Sequence, residues 1–561
     1  MPKFTPPLLL SPAVLLRASL LPAVLLLALA LRVWGLDWGL PSATHYFSYH
    51  PDESVVLGAS SLPTMNVFAG RLLPHFYNYG SLQLYLVCFA NTAAMLAGAI
   101  DIVPKDYAVW YPQWAKMYLV GRCLSVGMGV GTVFAVYGIG ACLWGRRAGL
   151  LAALTLAIMP LHAQQSHFLT VDVPATFWAS VSLLWAARLA TNDPRPFRAA
   201  LWAGVFAGLA MATKYNLALA VLPLAAACVA ARQWKPLALG LPLFILVFLA
   251  ACPGAILENA LFLRDVRFEA VHLQNAADPT FRDTGSGFVY HIARNLDAGL
   301  GLPLLLLALA SVGYAAFKRG RGDGLLAAFA LPYYVLISLV AVRYARYTIP
   351  LLPILALWVG RMAADWSRSA LPLRRGGGIF VGATVMVLTL LYALPIIGQM
   401  ARTDPRDQAE AWLQAHAPVP ATIGFAAQPW FGTPPVSPYF SMFQPGGWRV
   451  MTSPELTERI VYSGKDWDEA ALQAAKPAYV VLSEYDYRDG VRLHDASVET
   501  YLAALNEKGS AGGYRPAAAF RGFAPSTADT LEYSGEVLPR HGLPHDMLYP
   551  GPAITIYQRR P

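Results

Sequence analysis

Apolar residues fill roughly the first 400 positions in long blocks separated by short polar breaks, without the strict alternation of a half-buried strand. A helix crossing a bilayer needs about 20 mostly apolar residues, and at least roughly 17. The blocks predicted to cross are 18–36, 117–142, 148–160, 173–190, 197–213, 217–231, 236–251, 300–317, 325–341, 347–360 and 379–397, eleven in all, several of which need flanking residues to span. The apolar stretch 82–100 stands apart because it holds Gln83 and Asn91 and follows an aromatic loop. From about Thr403 the long blocks stop and charges return. There 407–416 reads as a helix, and 498–507 as another stopped by Gly509. Strands are predicted at 421–425, 478–483 and 553–558, and Asp466-Trp467-Asp468-Glu469 reads as a capping box. The expected fold is a polytopic α-helical membrane protein of about 11 transmembrane helices over 1–402, followed by a soluble C-terminal α/β domain over 403–561. No glycine-rich phosphate loop is found in the tail, and no solenoid-type repeat anywhere.

Composition agrees with the pattern. Only 13% of the 561 residues are charged and 56% are apolar, whereas a soluble domain carries about 25% charged residues. The net charge of +9 comes largely from short basic clusters between apolar blocks, the mark of cytoplasmic loops rather than of a nucleic-acid partner. These clusters decide the sidedness. If 82–100 does not cross, Arg146-Arg147, 188–198, 232–235, Lys318-Arg319-Arg321 and 361–375 all fall inside; if it crosses, three of these five change sides. The expectation is therefore eleven crossings, with 82–100 in the outer interface, the N-terminus inside and the C-terminus outside. Ala28-Leu29-Ala30 resembles a signal-peptide cleavage site, but the apolar run continues past it, which favours a retained helix. The five cysteines form no CxxC pair and read as packing residues.

Sidedness brings the candidate chemistry to one face. Asp52 and Glu53 in the external loop 37–116, the segment from His162 to Asp172, Lys214, the external loop 253–298, and Arg343 with Arg346 are all placed outside. Ionisable groups at membrane depth are costly and mark functional sites. His50-Pro51 sets an extended approach, so Asp52 and Glu53 open a short helix; neighbouring helical side chains diverge by about 100°, so the two acids need not share a task. The plain alternative is a pair that caps a helix at the membrane surface. Asp172 before Val173-Pro174 reads first as a helix cap, and Lys214 as a lysine reaching for the interface. His162 and His167 are five apart, a poor spacing for a metal pair. Two arginines on the disfavoured side suggest an anionic ligand such as phosphate, and a helix would put Arg343 and Arg346 on one face.

His50-Pro51-Asp52-Glu53, Thr170-Val171-Asp172-Val173-Pro174, Thr213-Lys214-Tyr215-Asn216, and Arg346-Tyr347 followed by Pro350 and Pro353 together resemble a GT-C glycosyltransferase. More narrowly, the chain resembles bacterial relatives of the protein O-mannosyltransferases and of the aminoarabinose transferases that modify lipid A. The resemblance implies an inverting transferase that takes a mannose-like hexose or a pentose from a polyprenyl-phosphate donor, outside the membrane. The acceptor would be a hydroxyl of a lipid, glycan or protein. It further implies Asp52 as general base and Glu53 as its support in positioning the acceptor or the first external loop. Arg343, Arg346 and Lys214 would neutralise the donor phosphate, and His50, Asp172, His167 and Tyr347 would line the cavity. No fixed cofactor follows, and a divalent cation is left open, since some distant members use one. The lysine-rich donor motif of the aminoarabinose branch is replaced here by an Arg-Tyr form, which argues against lipid A as acceptor. The rival is a transporter or flippase of lipid-linked sugars, in which the same charges would bind and release a head group without chemistry.

Overall fold

A computed structural model describes residues 12–42, 45, 48–61, 64–101, 107–417, 421–427, 431–435, 460–462, 467–506, 513–522, 528–533, 536–541 and 543–561. Every apolar block predicted to cross carries a helix. Among the described residues five are long and apolar enough to cross a membrane: Tyr111–Trp144, Pro196–Thr213, Arg321–Leu339, Ala345–Ser367 and Arg375–Ala401. Shorter apolar helices include Ser19–Val33, Tyr215–Ala231, Leu237–Ala251 and Leu302–Lys318, and Ser81–Leu96 covers the polar-marked stretch. The last of the long helices leaves Ile379, Phe380, Val387 and Leu391 more than half exposed. So broad an apolar face matches lipid rather than water, and the chain is an integral membrane protein.

Small residues set the helix packing. Ala200, Gly204 and Gly208 recur every four residues on Pro196–Thr213, and Gly204 lies directly against the Gly240 backbone of Leu237–Ala251. Side-chain-free surfaces of this kind let backbones touch where lipid offers no hydrophobic drive. The interior beside them is built largely from fully buried alanines and leucines.

Several helices begin or end in short irregular turns around one site. Pro51–Ser60 starts with a proline at its first position after an extended His50. Pro196–Thr213 stops at an extended Lys214. A 3₁₀ turn, Ala345–Leu351, follows an extended Tyr344 and leads into Leu352–Ser367. The segment 77–80 is locked against these ends: Gly80 meets the Ala212 carbonyl so closely that no Cβ fits, and the Tyr215 hydroxyl donates to the Tyr77 and Tyr79 carbonyls at 3.0 and 2.9 Å.

Beyond helix Pro405–His416 the chain forms β1 (Ile423–Phe425), β2 (Ile460–Tyr462), β3 (Tyr479–Ser483), β4 (Tyr514–Phe520), β5 (Ala528–Tyr533), β6 (Glu536–His541) and β7 (Ile554–Arg559). A five-stranded sheet runs in the order β2-β1-β3-β7-β4, with β1 parallel to β2 and β3, and β7 antiparallel to β3 and β4; β5 and β6 pair separately. Helix Glu469–Ala475 is capped by Asp468, while Asp466 and Gly509 lie outside the described residues. Helix Pro405–His416 and its cap are tied to the loop between Pro12–Val33 and Pro51–Ser60 by polar contacts. Trp38 Nε1 donates to Asp404 at 2.9 Å, the Tyr49 hydroxyl donates to Asp407 at 2.5 Å, and the Arg406 guanidinium lies 3.8 Å over the Tyr49 ring.

Candidate active site

A cavity of about 300 Å³ opens where these helix ends meet residues 78–79 and 269–273. Asp52 lines it from the first turn of Pro51–Ser60, Asp172 from the start of Asp172–Ala190, and Lys214 from the end of Pro196–Thr213. Arg346 and Tyr347 enter from the 3₁₀ turn, while Asn78, Tyr79, Glu269 and His272 close the opposite wall. Its cations meet acids: Arg346 Nη2 is 3.1 Å from Asp52 Oδ2, and Lys214 Nζ is 2.5 Å from Asp172 Oδ1. Arg346 also lies 4.0 Å over the Tyr344 ring, and Lys214 4.8 Å over that of Tyr347.

Charge pairing controls Asp52. Burial, the largest single influence, pushes its carboxyl up, but the adjacent Arg346 guanidinium together with His50, Lys214 and His272 outweighs it and holds Asp52 below the usual carboxylate range. Arg346 retains a free hand: its Nη1 is buried and makes no hydrogen bond, with Asp546 Oδ2 at 3.8 Å.

Glu53 points elsewhere. Fully buried and absent from the cavity wall, it takes a two-pronged contact from Arg122 (2.8 and 2.7 Å) and accepts from the Leu169 amide at 2.6 Å and from the Ser48 hydroxyl. Arg122 also donates to the Leu36 and Trp38 carbonyls at 2.7 Å. The pair therefore knits the first loop to helix Tyr107–Trp144 and to the turn before Asp172. His50 is buried between Phe168 and Tyr549, with ring centroids 4.4 and 4.6 Å away, and burial lowers its pKa to about 4. His167 is spent on the Ala163 and Trp34 carbonyls. Neither histidine lines the cavity.

The two arginines do not share a face. The chain is extended at Tyr344, so the helix expected to carry both starts only at Ala345. Arg343 turns away and donates to Thr284 and the Gly285 carbonyl at 2.8 and 2.7 Å. Sequence reasoning missed Tyr79, Glu269, His272, Arg122 and Asp546. Arg122 had a usable signal, as the single charge within 117–142. Glu269 and Asp546 sit in charge-rich segments where nothing distinguishes them. Among the described residues, no three His, Cys, Asp or Glu side chains cluster to hold a metal ion.

The fold is similar to that of solved structures of low sequence identity. ArnT from Cupriavidus metallidurans bound to undecaprenyl phosphate superposes with a TM-score of 0.50 at 16% identity, covering 85% of this chain and 94% of that one. The archaeal oligosaccharyltransferase AglB from Archaeoglobus fulgidus, in complex with an inhibitory peptide and a dolichol-phosphate, gives a TM-score of 0.46 at 12% identity, covering 96% of this chain and 77% of that one. In sequence, residues 116–256 match the dolichyl-phosphate-mannose-protein mannosyltransferase family. No curated protein matches the chain. The partial family match agrees with the resemblance that the motifs carry.

Proposed function

We propose that the chain is an inverting glycosyltransferase that moves a sugar, a mannose-like hexose or a pentose, from a polyprenyl-phosphate donor to an acceptor hydroxyl of a lipid, glycan or protein. The observation that carries this reading is Asp52 in contact with Arg346 in one cavity, where Arg346 keeps a buried donor without a hydrogen bond. The donor phosphate accepts from Arg346, with Lys214 as second cation, and takes over the charge that Asp52 now balances. Asp52 then removes the acceptor proton as the acceptor oxygen bonds to the anomeric carbon. The bond from that carbon to the phosphate oxygen breaks, its electron pair leaves on polyprenyl phosphate, and the two cations stabilise the added charge. Attack from the side opposite the leaving group inverts the centre. Glu53 acts through Arg122, by holding the loop that presents Asp52.

In this reading the chain crosses the membrane eleven times, with the cavity on the external face, the N-terminus inside, and 403–561 as an external α/β domain. The positive-inside pattern supports it. The test is transfer from a polyprenyl-phosphate sugar in membranes holding the full chain. Asp52→Asn is expected to lower turnover by about 10²–10⁴-fold while the protein stays inserted. Near wild-type turnover would remove Asp52 as base. Sugar movement across the bilayer without release of polyprenyl phosphate would replace the transferase reading with a flippase.

A further inference from the structure

We propose that Asp546, from the C-terminal part of the chain, is a positioning residue of the catalytic centre, holding Arg346 in place to receive the donor phosphate. This rests on the transferase reading above. Asp546 is fully buried in the turn His545–Met547. Its Oδ1 accepts from the Ala345 amide at 3.0 Å and its Oδ2 from the Arg346 amide at 2.8 Å. These are the first amides of the 3₁₀ turn, which lack a partner within the helix. Its Oδ2 also faces Arg346 Nη1 at 3.8 Å. One carboxylate thus fixes where the turn begins and flanks the side chain that the turn carries.

The turn bearing Asp546 is itself anchored. Gln164 Nε2 donates to the Met547 carbonyl at 3.0 Å, and Gln165 Nε2 to that of Asp546 at 3.4 Å, both from the segment that leads to Asp172. Arg346 therefore stands between two acids with different duties. Asp52 contacts it from the cavity wall; Asp546 holds it from behind and is no part of that wall. When a phosphate enters, Asp52 is released for chemistry and Asp546 stays to balance part of the arginine charge. Without Asp546, Arg346 settles on Asp52, and donor and base are both affected.

The experiment compares wild type, Asp546→Asn, Arg346→Gln and the double variant as full-length protein. It reads undecaprenyl phosphate binding, the KM and kcat for the sugar donor, and kcat/KM against pH. The charged or titratable groups facing Arg346 are Asp52, Asp546, His50, His545, Tyr79, Tyr344, Tyr347 and Tyr549; those facing Asp52 are Arg346, His50, Lys214, His272, Tyr79, Tyr344, Tyr347 and Tyr549. Asp546→Asn is expected to weaken lipid binding and raise KM by about tenfold. The acid limb of kcat/KM should move to lower pH, because an arginine no longer shared holds Asp52 more firmly ionised. In the Arg346→Gln background, Asp546→Asn should add nothing. Unchanged binding and an unmoved limb, or an effect that persists in that background, would overturn the inference while leaving the transferase reading standing. Wild type that neither binds undecaprenyl phosphate nor transfers sugar would overturn both. If Asp546→Asn does not fold, Gln164→Leu, which frees the Met547 carbonyl, should move the limb the same way by less, and no movement would overturn the inference.

Discussion

The ion pair between Asp52 and Arg346 sets a condition on the chemistry. A carboxylate held against a guanidinium is a weak base, so the group that displaces Asp52 from Arg346 also activates it. Asp52 must be ionised to take a proton, and Arg346 holds it below the usual carboxylate range. The acid limb of wild-type kcat/KM is therefore expected below the usual carboxylate range. In Arg346→Gln the burial penalty on Asp52 loses its strongest opponent, so the residual activity should show its acid limb at higher pH. Turnover should fall by about 10²–10³-fold with the lost phosphate contact. A limb that stays in place would show that Arg346 does not control Asp52. Scarcity of charge made this much of the site readable, since Asp52, Asp172, Lys214 and Arg346 stand out in an apolar chain. Side-chain direction was not readable. Arg343 lies three positions from Arg346, yet one extended residue between them sends it into the 284–285 loop.

At the scale of elements, the two neighbouring acids divide between chemistry and construction. Asp52 faces the cavity; Glu53, one position on, is bound to Arg122 in the middle of the fold. Their divergence follows from helical geometry and was legible; the partner of Glu53 was not, because it lies 69 positions away on another helix. Removing one member of a buried ion pair leaves the other uncompensated, at a cost of about 3–5 kcal/mol. Glu53→Gln is thus expected to lower the thermal unfolding midpoint of the purified protein markedly, with transfer lost in step. Asp52→Asn should leave that midpoint close to wild type. If the two variants unfold alike, Glu53 is not the tie that the contacts describe. Helix positions were the best-read feature at this scale, since every apolar block carries a helix.

Across the whole molecule, the loop after the first helix meets the C-terminal part of the chain through Trp38, Tyr49, Asp404, Arg406 and Asp407. Burial and the neighbouring Asp404 carboxylate push the Asp407 pKa up to about 6, against the pull of the Tyr49 hydroxyl and Arg406. A raised folded pKa means that the folded state favours protonated Asp407. Its contribution is complete below the unfolded value of about 3.9 and is lost as pH rises through about 6. Asp407→Asn, which can still accept from Tyr49, should raise the unfolding midpoint at pH 8 and leave it unchanged near pH 4. An equal effect at both pH values would separate Asp407 from this balance. None of these contacts could be read in advance, because an antiparallel or parallel partner, or a docking face, is fixed by tertiary packing rather than by local pattern.

The tie between Asp546 and the Ala345–Leu351 turn also has a temporal side. A polypeptide is made from its N-terminus, so Asp52, Lys214 and Arg346 enter the membrane while Asp546 is still to be synthesised. Until that residue arrives, the first amides of the turn lack the carboxylate that receives them. A nascent chain would thus carry every cavity-lining charge well before it holds the arginine in place, and a stretch translated some two hundred residues later would be the one that switches the site on.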